Sequence, residues 1–296
     1  MEQKKLLLVV NPVAGRIRVS EAFFEIVKTF NDGGYSVTVH MTKERGEAAR
    51  VTAQRGSEYD LIVFCGGDGT LNEGVTGLLR GSVQRPIGYI PCGTTNDFAA
   101  GLGLERDDLV QAARNIVAGK SYTIDVGMLE GRYFNYIASF GAFTDTSYSA
   151  PQATKNAIGH LAYILEGLRN LPNIRPVHAV VKLDGETVDE EFIFVAVTNA
   201  TSIGGVLKLD SDKVDFSDGE FEVMLVRNPT TALELSREVV AIQTGRYEDS
   251  GIRFCHTSRV SFTFDNDTSW ALDGEQYRGG KQCDISVLKH AVTIIG

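Results

Sequence analysis

Cys65-Gly66-Gly67-Asp68-Gly69-Thr70-Leu71-Asn72-Glu73 separates two different hydrophobic patterns. Upstream, Tyr59-Asp60-Leu61-Ile62-Val63-Phe64 is a short apolar, partly β-branched run that predicts a buried strand. Downstream, Leu71, Val75, Leu78 and Leu79 fall at i, i+4, i+7 and i+8, one face of a helix. The stretch between them is therefore a strand-to-helix turn, where a helix N-terminus offers unpaired N–H groups and positive potential. Glycines there let the backbone approach a phosphate, and a carboxylate can hold magnesium, directly or through water. A tight turn whose glycines serve geometry alone is the competing reading.

Moving towards the N-terminus, Leu6 to Val10 is a continuous apolar run, as expected for a strand covered on both faces. It ends in the polar turn Asn11-Pro12-Val13-Ala14-Gly15-Arg16. Phe23, Ile26, Val27 and Phe30 mark a helix that Asn31-Asp32-Gly33-Gly34 closes. Val37, Val39 and Met41 alternate as a second strand, and a small-residue helix covers 46–54. On the other side, Pro86 to Pro91 is a strand ending in Cys92-Gly93-Thr94-Thr95-Asn96-Asp97-Phe98. Leu109, Ala113, Ile116 and Val117 follow on a helix. Strand and helix alternate throughout, which predicts an open, mostly parallel α/β domain over residues 1–125. The turns at 11–16, 65–70 and 92–97 then share the carboxyl edge of the sheet, where such folds bind ligands.

From residue 126 to 296 the pattern changes. Strand-like runs at 124–128, 133–140, 177–183, 192–197, 221–226, 252–254, 260–264 and 285–288 predict a mostly antiparallel β-sandwich, with Asp184-Gly185 as a hairpin turn. Two helical stretches interrupt them, one with Ile158, Leu161, Ala162, Leu165 and Leu168, the other with Leu233, Val240 and Ile242. Without a repeat or a low-complexity linker, two closely joined domains with a cleft between them are expected.

The chain has 296 residues, 43% apolar and 23% charged, an ordinary globular composition. Its net charge of −9 argues against nucleic acid as the main partner and against purely electrostatic adhesion to anionic lipid. Cys65, Cys92, Cys255 and Cys283 have no metal-ligand spacing, and Cys65 and Cys92 read as small buried thiols in a reducing cytoplasm. No signal peptide and no apolar run of membrane-spanning length is found. Walker, Rossmann and G-x-S-x-G signatures are missing too, as is zinc spacing among the histidines.

Asn11-Pro12-x-x-Gly15, Gly66 to Glu73, Gly93-Thr94-Thr95-Asn96-Asp97-Phe98-Ala99 and Leu272-Asp273-Gly274-Glu275 occur in this order. Together they resemble the bacterial diacylglycerol kinases and their lipid-kinase relatives over nearly the whole chain. NAD kinases share only the middle motif. Thr95 departs from the pattern, standing where many relatives carry glycine. The resemblance implies ATP contacts from Asn11, Pro12, Val13, Ala14, Gly15, Thr42, Gly66, Gly67, Asp68, Gly69, Thr70, Leu71, Asn72 and Thr94. Asp68 would organise magnesium near the phosphates, and Asp97 would brace its turn. Arg16 and Arg18 are either phosphate contacts or solvated surface. Taken on sequence alone, Thr42 is an exposed loop threonine.

Asp-Gly-Glu occurs at 184–186, 218–220 and 273–275. The first reads as a hairpin turn. The second resembles the loop that holds a structural magnesium in bacterial relatives, which implies the Asp218 carboxylate and main-chain oxygens of Asp215 and Glu220 as ligands. The third supplies the candidate general base, Asp273 or Glu275, with the longer Glu275 preferred. The implied activity is ATP- and magnesium-dependent transfer of a γ-phosphoryl group to a lipid hydroxyl, that of diacylglycerol first, giving phosphatidic acid. An NAD kinase and a non-catalytic nucleotide- or lipid-binding module are the alternatives. A carboxylate on a glycine turn contributes little packing, so Asp68→Ala is expected to abolish turnover and spare the fold. A lipid partner at the membrane surface implies a cytoplasmic protein, transiently membrane-associated, with Lys155 to Arg175 as the candidate contact and ordinary core packing as the competing and favoured reading of that stretch. A homodimer is left open.

Overall fold

The computed structural model describes residues 3–94, 96–141, 175–200, 202–203, 207–208, 214–247 and 250–296. The chain forms two compact units, Met1–Ile124 with His290–Gly296, and Asp125–Lys289. The last seven residues, which the sequence pattern assigns to the second domain, thus belong to the first. The reason is backbone pairing, since Ile294 and Ile295 run parallel to Ile87 and Gly88.

In the first unit, strands β1 (Lys4–Val10), β2 (Tyr35–Met41), β3 (Leu61–Gly66) and β4 (Ile87–Pro91) lie in the order β4-β3-β1-β2, all parallel. Helices α1 (Arg16–Asp32), α2 (Glu47–Arg55), α3 (Asp68–Arg80), α4 (Asp97–Gly101) and α5 (Leu109–Ala118) alternate with them. The central strands are buried along their apolar length, whereas the edge strand β2 leaves Val39 and Met41 partly open. One face of the sheet packs Leu6, Leu8, Val10, Val63 and Ile90 against Ile26 and Phe30 of α1 and Ala113 and Ile116 of α5. Burying such side chains contributes about 1.5–3 kcal/mol each, which holds the strand ends in fixed register.

The second unit is a β-sandwich. The strands are β5 (Ser121–Leu129, shared with the first unit), β6 (Arg132–Phe134), β7 (Ile137–Gly141), β8 (Val177–Leu183), β9 (Glu186–Thr198), β10 (Ser202–Ile203), β11 (Leu207–Lys208) and β12 (Phe221–Arg227). After α6 (Ala232–Thr244) come β13 (Ile252–Thr257), β14 (Arg259–Phe264), β15 (Ser269–Leu272), β16 (Glu275–Arg278) and β17 (Gln282–Ile295). Antiparallel pairing runs β16-β15-β7-β9-β8-β14-β17, and β9 also pairs with β12, which pairs with β13. Phe140, Phe262, Phe264 and Trp270 meet edge to face at its centre, with centroids of Phe140 and Trp270 4.9 Å apart.

Several strands outrun their apolar signals. β9 begins at Glu186, where polar side chains alternate outward while the backbone still pairs with β8. β17 extends far beyond 285–288 for the same reason. Asp184 and Gly185, at φ 47° and 81°, form the expected two-residue hairpin turn. Leu233 and Val240, named in the second helical stretch, are exposed on α6. Residues 155–174 of the expected membrane contact lie outside the described residues.

Candidate active site

Three turns converge because β1, β3 and β4 are adjacent and parallel. Val10 is in register with Cys65, and Gly66 with Pro91, so all three strands end at one edge. The Asn11 N–H donates to the Cys65 carbonyl at 2.9 Å, and the Cys92 N–H to the Gly66 carbonyl at 2.9 Å. The Asn11 side-chain amide reaches the Thr70 hydroxyl at 3.1 Å, tying the first turn to the second. Two glycines are dictated by this closeness. Gly15 sits at φ 56°, and a Cβ there would lie 2.2 Å from the Cys92 carbonyl oxygen. A Cβ on Gly93 would lie 2.7 Å from the Cα of Gly67.

Helices α1 and α3 open at this edge on Gly15 and Gly67, and no side chain caps either. A helix N-terminus without a side-chain cap presents backbone donors and positive potential, which suit an anion. Pro12, Val13 and Thr94 are exposed above the turns, whereas Thr70 and Leu71 are buried beneath them. The expected nucleotide residues therefore divide into a surface layer and a supporting layer. Thr42 is half-buried rather than exposed, and its N–H donates to the Val10 carbonyl at 2.9 Å. Among the described residues the sequence candidates Asn11, Gly15, Gly66, Gly67, Asp68, Thr70 and Gly93 all come together.

Asp68 has a structural duty besides any chemistry. Its carboxylate accepts from the Asp97 N–H at 3.2 Å and the Phe98 N–H at 3.3 Å, holding the start of α4. The expectation that Asp68 contributes little to the fold is corrected by these two bonds. The turn itself is braced by Asn96, not Asp97. Asn96 adopts φ 49°, accepts from Gly93 N–H at 2.9 Å and donates to Gly93 O at 3.1 Å. The Asp97 carboxyl is pushed up to about 6 by burial and by the neighbouring Asp68 carboxylate, with Arg106 opposing.

Arg18 is engaged by main chain. Its guanidinium donates to the main-chain oxygens of Arg106 and Asp107, both at 2.8 Å, and so pins the loop before α5. The Arg16 side chain lies outside the described residues. Glu73, within the glycine motif but without an assigned role in sequence, accepts from Gly46 N–H at 2.7 Å and Ala48 N–H at 3.2 Å. It thereby caps α2 and closes the loop that carries Thr42. Its place three residues after Thr70 was the signal available for it. Cys65 and Cys92 are buried with their sulfurs 3.9 Å apart, and the Cys92 thiol and burial hold the Cys65 thiol well above its usual range.

In the second unit, the two candidate bases separate cleanly. Asp273 and Gly274, at φ 47° and 80°, form the turn between β15 and β16, with Leu272 paired to Glu275. Asp273 is buried, and its carboxylate accepts from the N–H groups of Asn135 at 2.6 Å, Tyr136 at 3.0 Å and Ile137 at 3.1 Å. Three backbone donors on one buried carboxylate tie Asp273 to the 135–137 backbone, the geometry of a residue that positions its turn. Glu275 opens β16, half-buried, past the turn that Asp273 anchors.

The loop with Asp215, Asp218 and Glu220 is fastened by Asp125, whose carboxylate accepts from Gly219 N–H at 2.6 Å. The Asp125 N–H donates to the Phe216 carbonyl at 2.7 Å, and Lys289 Nζ to the Asp218 carbonyl at 2.8 Å. Asp215 Oδ1 accepts from Ser217 N–H and Asp218 Oδ1 from Glu220 N–H. Each carboxylate keeps its second oxygen in a turn rich in main-chain carbonyls, the oxygen-only donor set of a hard cation. Among the described residues no three His, Cys, Asp or Glu side chains form a metal-holding cluster. A cation here would therefore depend on main-chain oxygens as well. Asp125 was missed in sequence, although an acidic residue inside the apolar run Ile124-Asp125-Val126 is a signal of a buried, bonded carboxylate.

Comparison with known proteins follows the same division. Residues 5–129 match the diacylglycerol kinase catalytic domain model, and residues 140–296 match the YegS C-terminal NAD kinase beta sandwich-like domain model. The chain is 33% identical over 273 residues to the diacylglycerol kinase of Bacillus subtilis strain 168, covering 92% of this chain and 90% of the relative. The diacylglycerol kinase of Staphylococcus aureus strain MRSA252 is 30% identical, covering 94% and 88%. A crystal structure from Bacillus anthracis strain Sterne, assigned there as a diacylglycerol kinase, is similar at a TM-score of 0.85 and 25% identity, covering 100% of this chain and 96% of that one. No described helix is long and apolar enough to cross a membrane.

Proposed function

The chain belongs to the diacylglycerol kinase family and is a lipid kinase, and from that premise we propose that it transfers the γ-phosphoryl group of ATP to the free hydroxyl of diacylglycerol, giving phosphatidic acid. The observation that carries this reading is the convergence of three strand-end turns around Asp68, two of them opening helices that no side chain caps. Phosphoryl transfer asks mainly for positioning and charge neutralisation, and such an edge supplies both. The turns at Asn11 to Gly15, at Gly66 to Asn72 and at Thr94 hold the triphosphate, with Thr42 nearer the nucleoside. When bound, magnesium neutralises phosphate charge. Asp68 would hold it near the phosphates, and the Asp218 carboxylate with the main-chain oxygens of Asp215 and Glu220 would hold a second, structural ion.

The acceptor hydroxyl loses its proton to the Glu275 carboxylate as its oxygen bonds to the γ-phosphorus and the bond to the β-phosphate oxygen breaks, releasing ADP. An alcohol proton needs such a base because its pKa lies far above 7. Asp273 supports this by holding the 135–137 backbone against the turn that precedes Glu275.

The test is ATP labelled in the γ-phosphate, offered diacylglycerol, sphingoid bases, phosphatidylglycerol, polyprenols and NAD with and without a divalent cation. Label in phosphatidic acid, dependent on the cation, is the expected result. Label in another lipid moves the acceptor assignment, and label in NADP alone overturns it.

A further inference from the structure

Glu73 lies on the second turn of α3 and gives both carboxylate oxygens to another element. Oε1 accepts from the Gly46 N–H at 2.7 Å and Oε2 from the Ala48 N–H at 3.2 Å. Gly46 is the N-cap of α2 and has no side chain to satisfy the first donors of that helix, so Glu73 does so from outside. Gly77 and Gly81 follow Glu73 at i+4 and i+8, on the same face of α3. A Cβ on Gly77 would lie 2.5 Å from the Ala49 carbonyl oxygen, and one on Gly81 2.7 Å from the Ala53 Cα. Backbone therefore meets backbone along the two helices, and this close packing fixes α2 on α3. Glu73 is the end of that contact nearest the Gly67 turn, where α3 begins.

The loop over 42–46, which joins β2 to α2, is thereby fixed at both ends. At its start the Thr42 N–H donates to the Val10 carbonyl at 2.9 Å, where β1 passes into the Asn11 turn. At its finish Glu73 ties it to the helix that the Gly67 turn opens. In between, Glu47 Oε2 accepts from the Lys43 N–H at 2.6 Å while its Oε1 meets His40 Nε2 at 3.1 Å, which holds the loop in one shape. The loop thus rests on the two elements that carry the first and second phosphate turns, and it lies beside them at the same edge of the sheet, since Val10 is in register with Met41. We infer that Glu73 is a positioning residue for the nucleoside half of ATP. Acting through the Gly46 and Ala48 backbone, it places the 42–46 loop relative to the phosphate turns, and so governs nucleotide affinity without taking part in transfer. The inference rests on the reading that sets Thr42 nearer the nucleoside.

The experiment is calorimetric titration of the full chain with ATP and with inorganic tripolyphosphate, both with magnesium, beside KM for ATP and kcat in the lipid-labelling assay. Wild type, Glu73→Ala and Glu73→Gln are compared below the melting onset of all three. The alanine variant should bind ATP roughly tenfold more weakly, the loss expected for one charge-assisted hydrogen bond. It should bind tripolyphosphate as tightly as the wild type does. KM should rise by the same factor with kcat unchanged. The glutamine variant, which keeps one acceptor oxygen, should fall between the two, and it decides the matter if the alanine variant does not fold. Equal weakening of ATP and tripolyphosphate overturns the assignment, since a general loosening of the edge would do that. Unaltered ATP binding, a fall in kcat alone, or a wild type that binds ATP no more tightly than tripolyphosphate overturns it too. Failure of both variants to fold makes Glu73 a strut of the fold and nothing more. If every lipid stays unlabelled while the variants still separate ATP from tripolyphosphate, the acceptor assignment has failed and the role of Glu73 stands.

Discussion

The Asp68 carboxylate accepts the backbone N–H of Asp97 at 3.2 Å, while the Asp97 side chain is driven towards its neutral form by burial and by that same Asp68 charge. One residue thus anchors the helix on which its electrostatic opponent sits. The two acids cannot be exchanged in role, because one holds backbone donors and the other is shifted towards its protonated form.

A pH signature follows from Asp97. Its carboxyl is raised from 3.8 to about 6 in the fold. The native state therefore keeps a proton that the unfolded chain releases between those values. Its contribution to stability is present below about pH 4 and is lost as pH rises through about 6. Asp97→Asn should melt like the wild type in acid and above it at neutral pH. Melting curves across that range check this, and parallel curves at all pH values sink it.

Asp68 should be dissected with two substitutions. Asp68→Ala removes the acceptor for two N–H groups and should cost about 1–2 kcal/mol of stability along with turnover. Asp68→Asn keeps an acceptor for only one of these two N–H groups, which bond to different oxygens, so its melting should fall less than that of the alanine variant while turnover falls as far. Denaturant midpoints beside lipid labelling separate the two. Normal turnover in the asparagine variant would leave Asp68 purely structural.

Asp273→Asn and Glu275→Gln should fail in opposite ways. The first weakens a carboxylate bonded to three backbone N–H groups, and a loss of roughly 2 kcal/mol or more is expected. The second should melt normally, bind ATP normally, and lose turnover by about 100- to 10,000-fold, the usual contribution of a general base. Turnover near wild type for Glu275→Gln places the base elsewhere.

Magnesium should stabilise the 215–220 loop. Titrating the cation into chelator-treated protein is expected to raise the melting temperature of the wild type. Binding at a hundred times the dissociation constant contributes about 2.7 kcal/mol. Asp218→Asn, which keeps an acceptor for Glu220 N–H, should respond weakly. Equal responses in the two proteins would remove the ion from that loop.

The glycine turn, the alternation of strands and helices in the first half and the β-sandwich of the second were all legible from residue order. Each rests on local periodicity or on a backbone conformation that only certain residues adopt. Contacts between segments distant in sequence were not legible, because a motif names residues without saying which backbone donors will face them. Asp273 and Glu275 are two residues apart and alike in chemistry, yet the 135–137 backbone claims one of them. Arg18 was equally compatible with a phosphate until the 106–107 carbonyls took its guanidinium. Glu73, Asn96 and Asp125 are polar residues whose partners lie across a turn or across the chain. The apolar period on α6 marked Leu233 and Val240 without fixing which way they face, and the burial of Glu238 and Ala241 on the other side decided it. Local order sets which elements form and where a phosphate can approach. Which carboxylate is tied to distant backbone depends on the long-range hydrogen bonds that only the folded chain can make.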